Sequence, residues 1–342
     1  MLTHRQLNFV ICAASLGMVG VVFAQPPAGA SAAPSPAEMK TLNQALKTLM
    51  VQQDPGAQAI FDKHPSYNPI AAGGAPPFGR GGPGATPVPA DQPMARTDQN
   101  SLLAHQQLLE KAAKGGIDIY FEGDSIVRRW GATDYPDNLA NWNKNFFGWN
   151  AADFGWGADT LQNILWRLDN GELDGVNPKI IVLLGGTNNV GGFAAPGGDD
   201  AKATDIANGV KAVLDVMQKK APNAVIIVTG ITPRNDRGST AVMPTINKIN
   251  ALIAKLADGK KIRYLNINDK LADPDGKLFP GMMNTGDQLH PTPQGYQVWA
   301  DALKPIFTEI LGPPAATDHA PPPTGDPSAV KANPSAQAAT GR

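Results

Sequence analysis

The chain has 342 residues, of which 42% are hydrophobic and 17% are charged, and its formal net charge is −1. Such a chain can bury a sizeable core, as one large domain or two small ones. It contains no long run of lysine or arginine, which argues against nucleic-acid binding through phosphate neutralisation.

The N-terminal residues have the pattern of an export signal. A short basic start precedes residues 7–24, which are apolar and rich in small side chains, and Val22 and Ala24 occupy the −3 and −1 positions before Gln25. This pattern predicts a signal peptide over residues 1–24, cleaved after Ala24, and therefore a secreted or periplasmic protein. An uncleaved membrane anchor is the alternative, because roughly 18 apolar residues can span a bilayer.

Composition divides the rest of the chain into three parts. Residues 25–96 are predicted to be an extension with one helix and a Gly/Pro-rich linker. Residues 97–312 form the main domain, and residues 313–342 are Pro/Ala-rich and expected to be disordered. The single cysteine, Cys12, lies in the signal, so the mature chain is expected to have no disulfide, thiolate metal site or cysteine nucleophile.

The main domain alternates predicted strands with predicted helices. Continuous apolar strands separated by helices are typical of a parallel sheet covered on both faces, which is an α/β fold. Ligands in such folds bind at the carboxyl ends of the strands. The strands are predicted at 117–122, 151–154, 179–184, 223–231 and 262–267, and the helices at 98–114, 159–168, 201–220, 240–257 and 291–311.

Gly123, Asp124 and Ser125 directly follow the first predicted strand. Serine is common in turns because its hydroxyl can bond to nearby backbone. The same hydroxyl becomes a useful nucleophile only when a base takes its proton. Ser125 is therefore either a turn residue or a nucleophile, depending on what the rest of the chain supplies.

His290 is the histidine best placed to serve as that base. Among the five histidines, it is the one that lies in a loop with a carboxylate, Asp287, three residues before it. An imidazole can take the serine proton while a carboxylate orients the ring. Pro291 follows at the predicted start of the last helix, so a histidine that caps this helix is the alternative.

Two further loops supply candidate groups for an oxyanion hole. Asn188 follows the third strand, and its side-chain amide can donate to a developing oxyanion or simply support a turn. The loop after the second strand, "DFGWGADT", contains Gly155 and Gly157, which allow close backbone approach, and Asp159 at a helix start. Free N–H groups at such a helix start can hold negative charge.

These four blocks, in this order, resemble those of the SGNH/GDSL serine hydrolases, a family of esterases and lipases. "DFGWGADTLQNILWRLDNGEL" followed by "PKIIVLLGGTNN" is similar to the catalytic subunits of brain-type platelet-activating factor acetylhydrolase, and the resemblance extends over residues 115–312. It implies a flavodoxin-like three-layer sandwich, with a five-stranded parallel sheet in the order 2-1-3-4-5 and helices on both faces.

The resemblance also implies a carboxylic ester hydrolase with a Ser-His-Asp triad, no metal and no cofactor. It makes Ser125 the nucleophile, His290 the base and Asp287 the residue that orients it. The implied oxyanion donors are Ser125, Ala158 and Asn188. The implied supporting loop residues are Asp124, Gly155, Gly157 and Asp159. The family usually has glycine where this chain has Ala158, and the added methyl can narrow the acyl pocket or disturb a glycine-only dihedral angle.

We expect the substrate to be a short-chain, acetyl-type ester, mainly from the resemblance, and export points to extracellular esters such as acetylated glycans. Trp130, Trp149 and Trp156 are candidates for stacking on sugar rings or for core packing. The Asp287 carboxylate is expected to raise the pKa of His290. No nucleic-acid partner and no stable membrane insertion after signal cleavage are expected.

Three other functions remain open from the sequence. A lipase, phospholipase or thioesterase would take longer acyl chains, and a non-catalytic glycan-binding protein would keep the fold without turnover. A dinucleotide-binding loop around Gly155 and Gly157 is disfavoured, because Thr160 stands where the third glycine is needed.

Overall fold

The computed structural model describes residues 88–96, 98–191, 198–236 and 238–328. The predicted signal peptide and the predicted helix of the extension lie outside these described residues. Within them, no helix is both long and apolar enough to cross a membrane.

Five parallel strands form one sheet in the order β2-β1-β3-β4-β5. This order and the α/β class are those predicted, so the flavodoxin-like fold is confirmed. The strands are β1 (Ile119–Gly123), β2 (Ala151–Asp153), β3 (Ile180–Leu184), β4 (Val225–Thr229) and β5 (Ile262–Leu265).

Helices cover both faces of the sheet. One face carries α1, α4, α6 and α7, and the other carries α2, α3 and α8. The helices are α1 (Gln99–Lys114), α2 (Ser125–Gly131), α3 (Pro136–Phe146), α4 (Leu161–Arg167), the single turn α5 (Thr187–Val190), α6 (Gly198–Lys220), α7 (Met243–Ala254) and α8 (Pro293–Leu311).

The strands are apolar throughout because successive side chains enter opposite cores. In β1, Ile119 and Phe121 pack with α2, α3 and α8, whereas Tyr120 between them packs with the α1, α4, α6 and α7 layer. All five residues of β1 are buried. Ser125 therefore follows a strand that both cores hold in place.

Two helices between the first strands, α2 and α3, are absent from the sequence prediction. The α3 sequence contains the necessary signals, namely Pro136 at its first turn and Leu139, Trp142 and Phe146 spaced along one face. The short α2 begins at Ser125 itself. It is not predicted because Gly-Asp-Ser, at its start, has the composition of a turn. The other predicted elements that fall within the described residues are present, with ends that differ by a few residues.

Both flanks of the main domain pack against it where the structure describes them. Ala90 is fully buried, and the Met94 N–H donates to the Gln162 carbonyl at 2.9 Å. At the other end, Asp318 accepts from the Gly148 N–H at 2.7 Å. The expectation of disorder from residue 313 therefore does not hold for residues 313–328, because specific hydrogen bonds offset their Pro-rich composition.

Candidate active site

Ser125 is the first residue of α2 and follows β1 after a single residue, Asp124. The Asp124 carboxylate caps the helix by accepting from the Ile126 N–H at 2.9 Å. The first N–H groups of any helix have no partner within it, so the Ser125 N–H is free of helical hydrogen bonding. The local sequence thus places a hydroxyl and an N–H donor together at the carboxyl edge of the sheet.

Ser125, His290 and Asp287 form one chain of hydrogen bonds. Ser125 Oγ lies 2.8 Å from His290 Nε2, and His290 Nδ1 lies 2.8 Å from Asp287 Oδ2. The other carboxylate oxygen, Asp287 Oδ1, accepts from the backbone N–H groups of Leu289 and His290, both at 3.1 Å. An imidazole in this position can take the serine proton while the carboxylate fixes its orientation.

The loop that carries His290 is a tight turn. The Gln288 N–H donates to the Asn284 carbonyl at 2.7 Å, and the Asn284 N–H donates to the His290 carbonyl at 2.8 Å. Gln288 has a φ of 49°, so the backbone reverses between Asp287 and His290, and the Asp287 carboxylate meets His290 Nδ1 while His290 Nε2 faces Ser125. The three-residue spacing noted in the sequence therefore arises from a turn, not from a helix face.

The pKa of His290 shifts in the direction opposite to the sequence expectation. Burial, followed by the positive charge of Arg129, lowers it below the ordinary imidazole value. The hydrogen bond to Asp287 and the charge of that residue raise it but do not outweigh these effects. The sequence reveals the carboxylate three residues away but not the burial of His290, which is only 7% exposed in the fold.

Arg129 lies one helical turn after Ser125 and reaches the same loop. Its Nη1 donates to Asp287 Oδ2 at 3.2 Å, and its guanidinium lies over the Tyr135 ring at 5.2 Å from the ring centre. The oxygen that accepts from Arg129 is the one that faces His290. Sequence reasoning missed this residue, although the spacing of four from Ser125 places the two side chains on one helix face.

The loop after β2 packs closely on the start of α2. The Trp156 N–H donates to the Gly123 carbonyl at 3.0 Å. A Cβ at Gly155 would lie 2.7 Å from the Arg128 backbone nitrogen, so the predicted close approach is present there. It is not present at Gly157, where a Cβ would meet nothing within 4 Å.

Ala158 has a left-handed backbone with φ of 65°. It occupies the third position of a turn closed by the Asp159 N–H, which donates to the Trp156 carbonyl at 3.3 Å. A positive φ at this position is the conformation of a type II turn, which normally requires glycine or asparagine. The glycine-only dihedral angle anticipated for this position is therefore retained by an alanine.

Asn188 lies beside the same turn. One N–H of its amide donates to the Asp159 carbonyl at 2.8 Å, which leaves the second N–H for another acceptor. Arg234 supports α5, the single turn that carries Asn188, because Arg234 Nη1 donates to the Thr187 carbonyl at 3.0 Å. The structure thus joins Asn188 to the Ala158 turn through the Asp159 carbonyl.

Asp159 is a fully buried carboxylate that is held by two arginines. Its Oδ2 accepts from Arg167 Nε, and its Oδ1 lies 3.1 Å from Arg96 Nη1. Burial of a charge is costly unless it is paired and hydrogen-bonded, so a buried motif aspartate implies cationic partners. In the sequence, this signal points to Arg167, which lies two turns along α4. It does not point to Arg96, because Arg96 lies in the predicted linker.

Asp124 is also fully buried, and burial raises its pKa to about 7 against the hydrogen bond from the Ile126 N–H. Among the described residues, no hydrogen-bond partner faces its Oδ2. The three tryptophans considered for sugar stacking are buried as well: Trp130 and Trp149 pack in the core, and the Trp156 ring lies against the Arg128 guanidinium. A cavity of about 430 Å³ lies beside the loop that carries Asp287 and His290, and it is lined by Arg234, Asp236, Gly286, Asp287 and Gln288.

Comparison with known proteins agrees with this geometry. A sequence model of the GDSL-like lipase/acylhydrolase family matches residues 121–298, which include all four blocks. The chain belongs to this family. The predicted membership is therefore confirmed, and an ester hydrolase activity of the GDSL acylhydrolase type follows from it.

The similar curated proteins are platelet-activating factor acetylhydrolase subunits. The IB subunit alpha2 of Gallus gallus is 27% identical over 233 residues, which are 68% of this chain and 93% of that protein. The IB subunit alpha1 of Homo sapiens is 27% identical over 234 residues, with the same coverage of 68% and 93%. A GDSL-like lipase from Bacteroides thetaiotaomicron has a TM-score of 0.47 at 18% identity, covering 61% of this chain and 98% of that one.

Proposed function

We propose that this GDSL hydrolase is an exported serine esterase that cleaves short-chain, acetyl-type carboxylic esters through an acyl-enzyme. Ser125 is the nucleophile, His290 the general base and Asp287 the residue that orients the imidazole. The observation that carries the proposal is the continuous chain from Ser125 Oγ to His290 Nε2 and from His290 Nδ1 to Asp287 Oδ2, each link 2.8 Å long.

In the first half of the reaction, His290 takes the Ser125 proton as the serine oxygen attacks the ester carbonyl carbon. The C–O bond of the alcohol then breaks, and the protonated imidazole returns the proton to the leaving alcohol. In the second half, His290 takes a proton from water, which attacks the acyl-serine. The carboxylic acid leaves and Ser125 regains its proton, so no metal or cofactor is required.

The tetrahedral oxyanion is stabilised by three donors in this proposal. These are the Ser125 N–H at the start of α2, the Ala158 N–H in the type II turn and the free N–H of the Asn188 amide. The hydrogen bond from Asn188 to the Asp159 carbonyl supports this assignment, because it couples the second and third donors. Donors fixed in advance stabilise the charge without reorganising during the reaction.

Two observations support a short acyl group. The similar curated proteins carry the name acetylhydrolase. In addition, the cavity beside Asp287 is lined by charged and polar side chains, whereas a long acyl chain needs apolar surface to gain binding energy from burial. The charged and polar side chains of this lining are compatible with a hydrophilic alcohol, of which an acetylated glycan is one class.

Export is proposed from residues 1–24 of the sequence. The test is N-terminal sequencing of protein recovered from the medium or periplasm of an expressing bacterium. A first residue of Gln25 is the expected result, and a membrane-bound chain that retains its N-terminus would contradict the proposal.

The activity is tested with p-nitrophenyl esters from C2 to C12, together with acetylated polysaccharides. We expect kcat/KM to be highest at C2 or C4, no effect of EDTA, and loss of activity in Ser125→Ala by about 10⁴–10⁶. Ser328→Ala, at an exposed serine, is the matched control and should behave as the parent.

A fluorophosphonate probe should label Ser125 in the parent and no residue in Ser125→Ala. A preference for C8–C12 would identify a lipase-type enzyme instead. No turnover of any ester by the folded chain would identify a non-catalytic binding protein.

A further inference from the structure

Arg96 reaches the loop after β2 from outside the region that the family match covers. Its Nη1 donates to the Gly157 carbonyl at 2.5 Å and lies 3.1 Å from Asp159 Oδ1. Its Nε donates to Asp98 Oδ2 at 2.8 Å, and the side chain is 13% exposed. One guanidinium thus binds a backbone carbonyl and two carboxylates around the predicted oxyanion turn.

The segment that carries Arg96 is itself fixed to the domain. The Asn163 side chain donates to the Met94 carbonyl at 2.8 Å, and the Gln162 side chain donates to the Val88 carbonyl at 2.9 Å. The Ala90 N–H donates to Asp205 at 3.1 Å. Arg96 is therefore presented to the loop by ordered backbone.

The carbonyl that Arg96 binds belongs to the same peptide group as the Ala158 N–H. A trans peptide is planar, and its C=O and N–H point in opposite directions. A donor that fixes the Gly157 carbonyl on one side of the turn therefore fixes the direction of the Ala158 N–H on the other side. A cationic donor on the carbonyl also polarises the group, which strengthens the N–H as a donor.

This constraint matters because the turn holds an alanine in an unfavourable conformation. Rotation of the central peptide by half a turn converts a type II turn into a type I turn and takes the third residue to negative φ. Alanine prefers negative φ, so its intrinsic preference favours the rotated form, in which the N–H points away. The hydrogen bond from Arg96 to the Gly157 carbonyl exists only in the unrotated form.

We infer that Arg96 is a positioning residue for the oxyanion hole, which holds the Gly157–Ala158 peptide with its N–H directed at the substrate oxygen. The inference rests on the proposed function, in which that N–H is a donor. Arg96 itself does not touch the substrate. It extends the functional site to a residue ahead of the predicted domain start at 97.

The first test compares Arg96→Gln and Arg96→Lys with the parent on a short-chain ester. We expect Arg96→Gln to lower kcat by about 10–100-fold with KM nearly unchanged, which is less than the roughly 10²–10³ lost with a whole donor. Arg96→Lys, which keeps a cationic donor, should recover most of the rate. Arg263→Gln, which breaks an exposed ion pair with Glu309, is the control and should keep the parent kcat.

The second test asks whether Arg96 acts through the Ala158 N–H. Proline cannot replace Ala158, because its ring fixes φ near −65°, whereas the turn needs +65°. Replacement of Ala158 by lactic acid, through an acylated suppressor tRNA, exchanges the N–H for an oxygen and leaves the side chain unchanged. In that background Arg96→Gln should cause no further loss, whereas in an Asn188→Ala background it should cause its full loss.

Two results would overturn the inference. One is a folded Arg96→Gln variant whose kcat equals that of the parent. The other is a decrease in kcat on Arg96→Gln that is the same factor with and without the Ala158 N–H. Thermal melting identifies a variant that fails to fold, and Arg96→Lys then supplies the comparison. Failure of the proposed function looks different, because the parent would then show no turnover that depends on Ser125.

Discussion

The two sides of the Ser125 hydroxyl are built in contrasting ways. On the base side, Asp287 is 36% exposed and Arg129 is 26% exposed, and the connection is a turn held by backbone hydrogen bonds. On the oxyanion side, Asp159 and Arg167 are almost completely buried and form an ion pair under the Ala158 turn. The base side is therefore part-exposed at Asp287 and Arg129, although His290 itself is buried, whereas the oxyanion side is fixed by charges in the interior.

This contrast predicts that equivalent substitutions on the two sides fail differently. We expect Asp287→Asn to lower kcat by on the order of 10⁴, because the imidazole loses its orienting acceptor. Its free energy of unfolding should change by less than about 1 kcal/mol, since the side chain is part-exposed. Asp159→Asn should instead lower the free energy of unfolding by roughly 3 kcal/mol, because the buried Arg167 charge loses one of its two carboxylate partners and keeps only Glu172.

Urea unfolding followed by ester kinetics measures both quantities. Equal destabilisation by the two variants would contradict the contrast. So would a normal free energy of unfolding in Asp159→Asn.

Removal of one oxyanion donor should have the next largest effect. Asn188→Ala is expected to lower kcat by about 10²–10³, with melting temperature largely retained. Asn188→Asp should be slower still, because it places a carboxylate where negative charge develops. Asn189→Ala is the control: this neighbour accepts from the Leu161 N–H at 3.0 Å and should affect stability more than kcat. Equal losses of kcat in Asn188→Ala and Asn189→Ala would mean that both substitutions disturb the start of α4, and would contradict a donor role for Asn188.

Replacement of Ala158 by glycine tests the oxyanion side without removing an N–H donor. We expect kcat to change by a few-fold at most, since the N–H remains. The free energy of unfolding should rise by up to about 1 kcal/mol, because glycine adopts positive φ without the steric cost to alanine. Thermal melting and chemical unfolding measure this. A destabilised variant would show that the alanine methyl contributes packing that exceeds the strain.

The smallest expected effect involves the base side and concerns the pH dependence of the activity. Only neutral His290 can act as a base, so activity is lost as the pH falls through its pKa. Because burial and Arg129 lower this pKa, the acid limb of kcat/KM should have its midpoint below 6.5. Arg129→Leu removes a positive charge that disfavours imidazolium, so the midpoint should move to higher pH.

The Arg129→Leu experiment is a pH profile measured beside that of Arg263→Gln, which should match the parent. A midpoint that stays unchanged in Arg129→Leu would show that Arg129 does not act on His290 electrostatically.

The α/β class and the location of the candidate site could be predicted because they depend on local pattern, whereas the order of the strands followed only from the family resemblance. Continuous apolar strands specify parallel pairing, and the four polar blocks each follow a strand or precede a helix. His290 could be singled out because a carboxylate lies three residues away. These features need no knowledge of which segments meet across the fold.

The features that could not be predicted depend on contacts between distant segments. Arg96 lies 61 residues from the Gly157 carbonyl it binds, in a stretch whose composition is typical of a linker. The direction of the His290 pKa shift depends on burial by the surrounding elements and on Arg129, 161 positions earlier in the chain. Gly157 has the sequence context of a close-approach glycine, yet open space faces it. Residues 313–328 have a disordered composition, but their polar groups find partners on the domain.

The packed residues after α8 also affect how the sheet ends. β2 has a neighbour on one side only, and an unpaired strand edge can recruit another chain. Lys111 Nζ donates to the Asp153 carbonyl at the end of β2 and to Thr324 Oγ at 2.9 Å, so the Pro321–Pro323 run passes close to this edge. Proline has no N–H to offer a β-ladder. A chain cut at residue 312 is therefore expected to aggregate on storage even where its esterase site is complete.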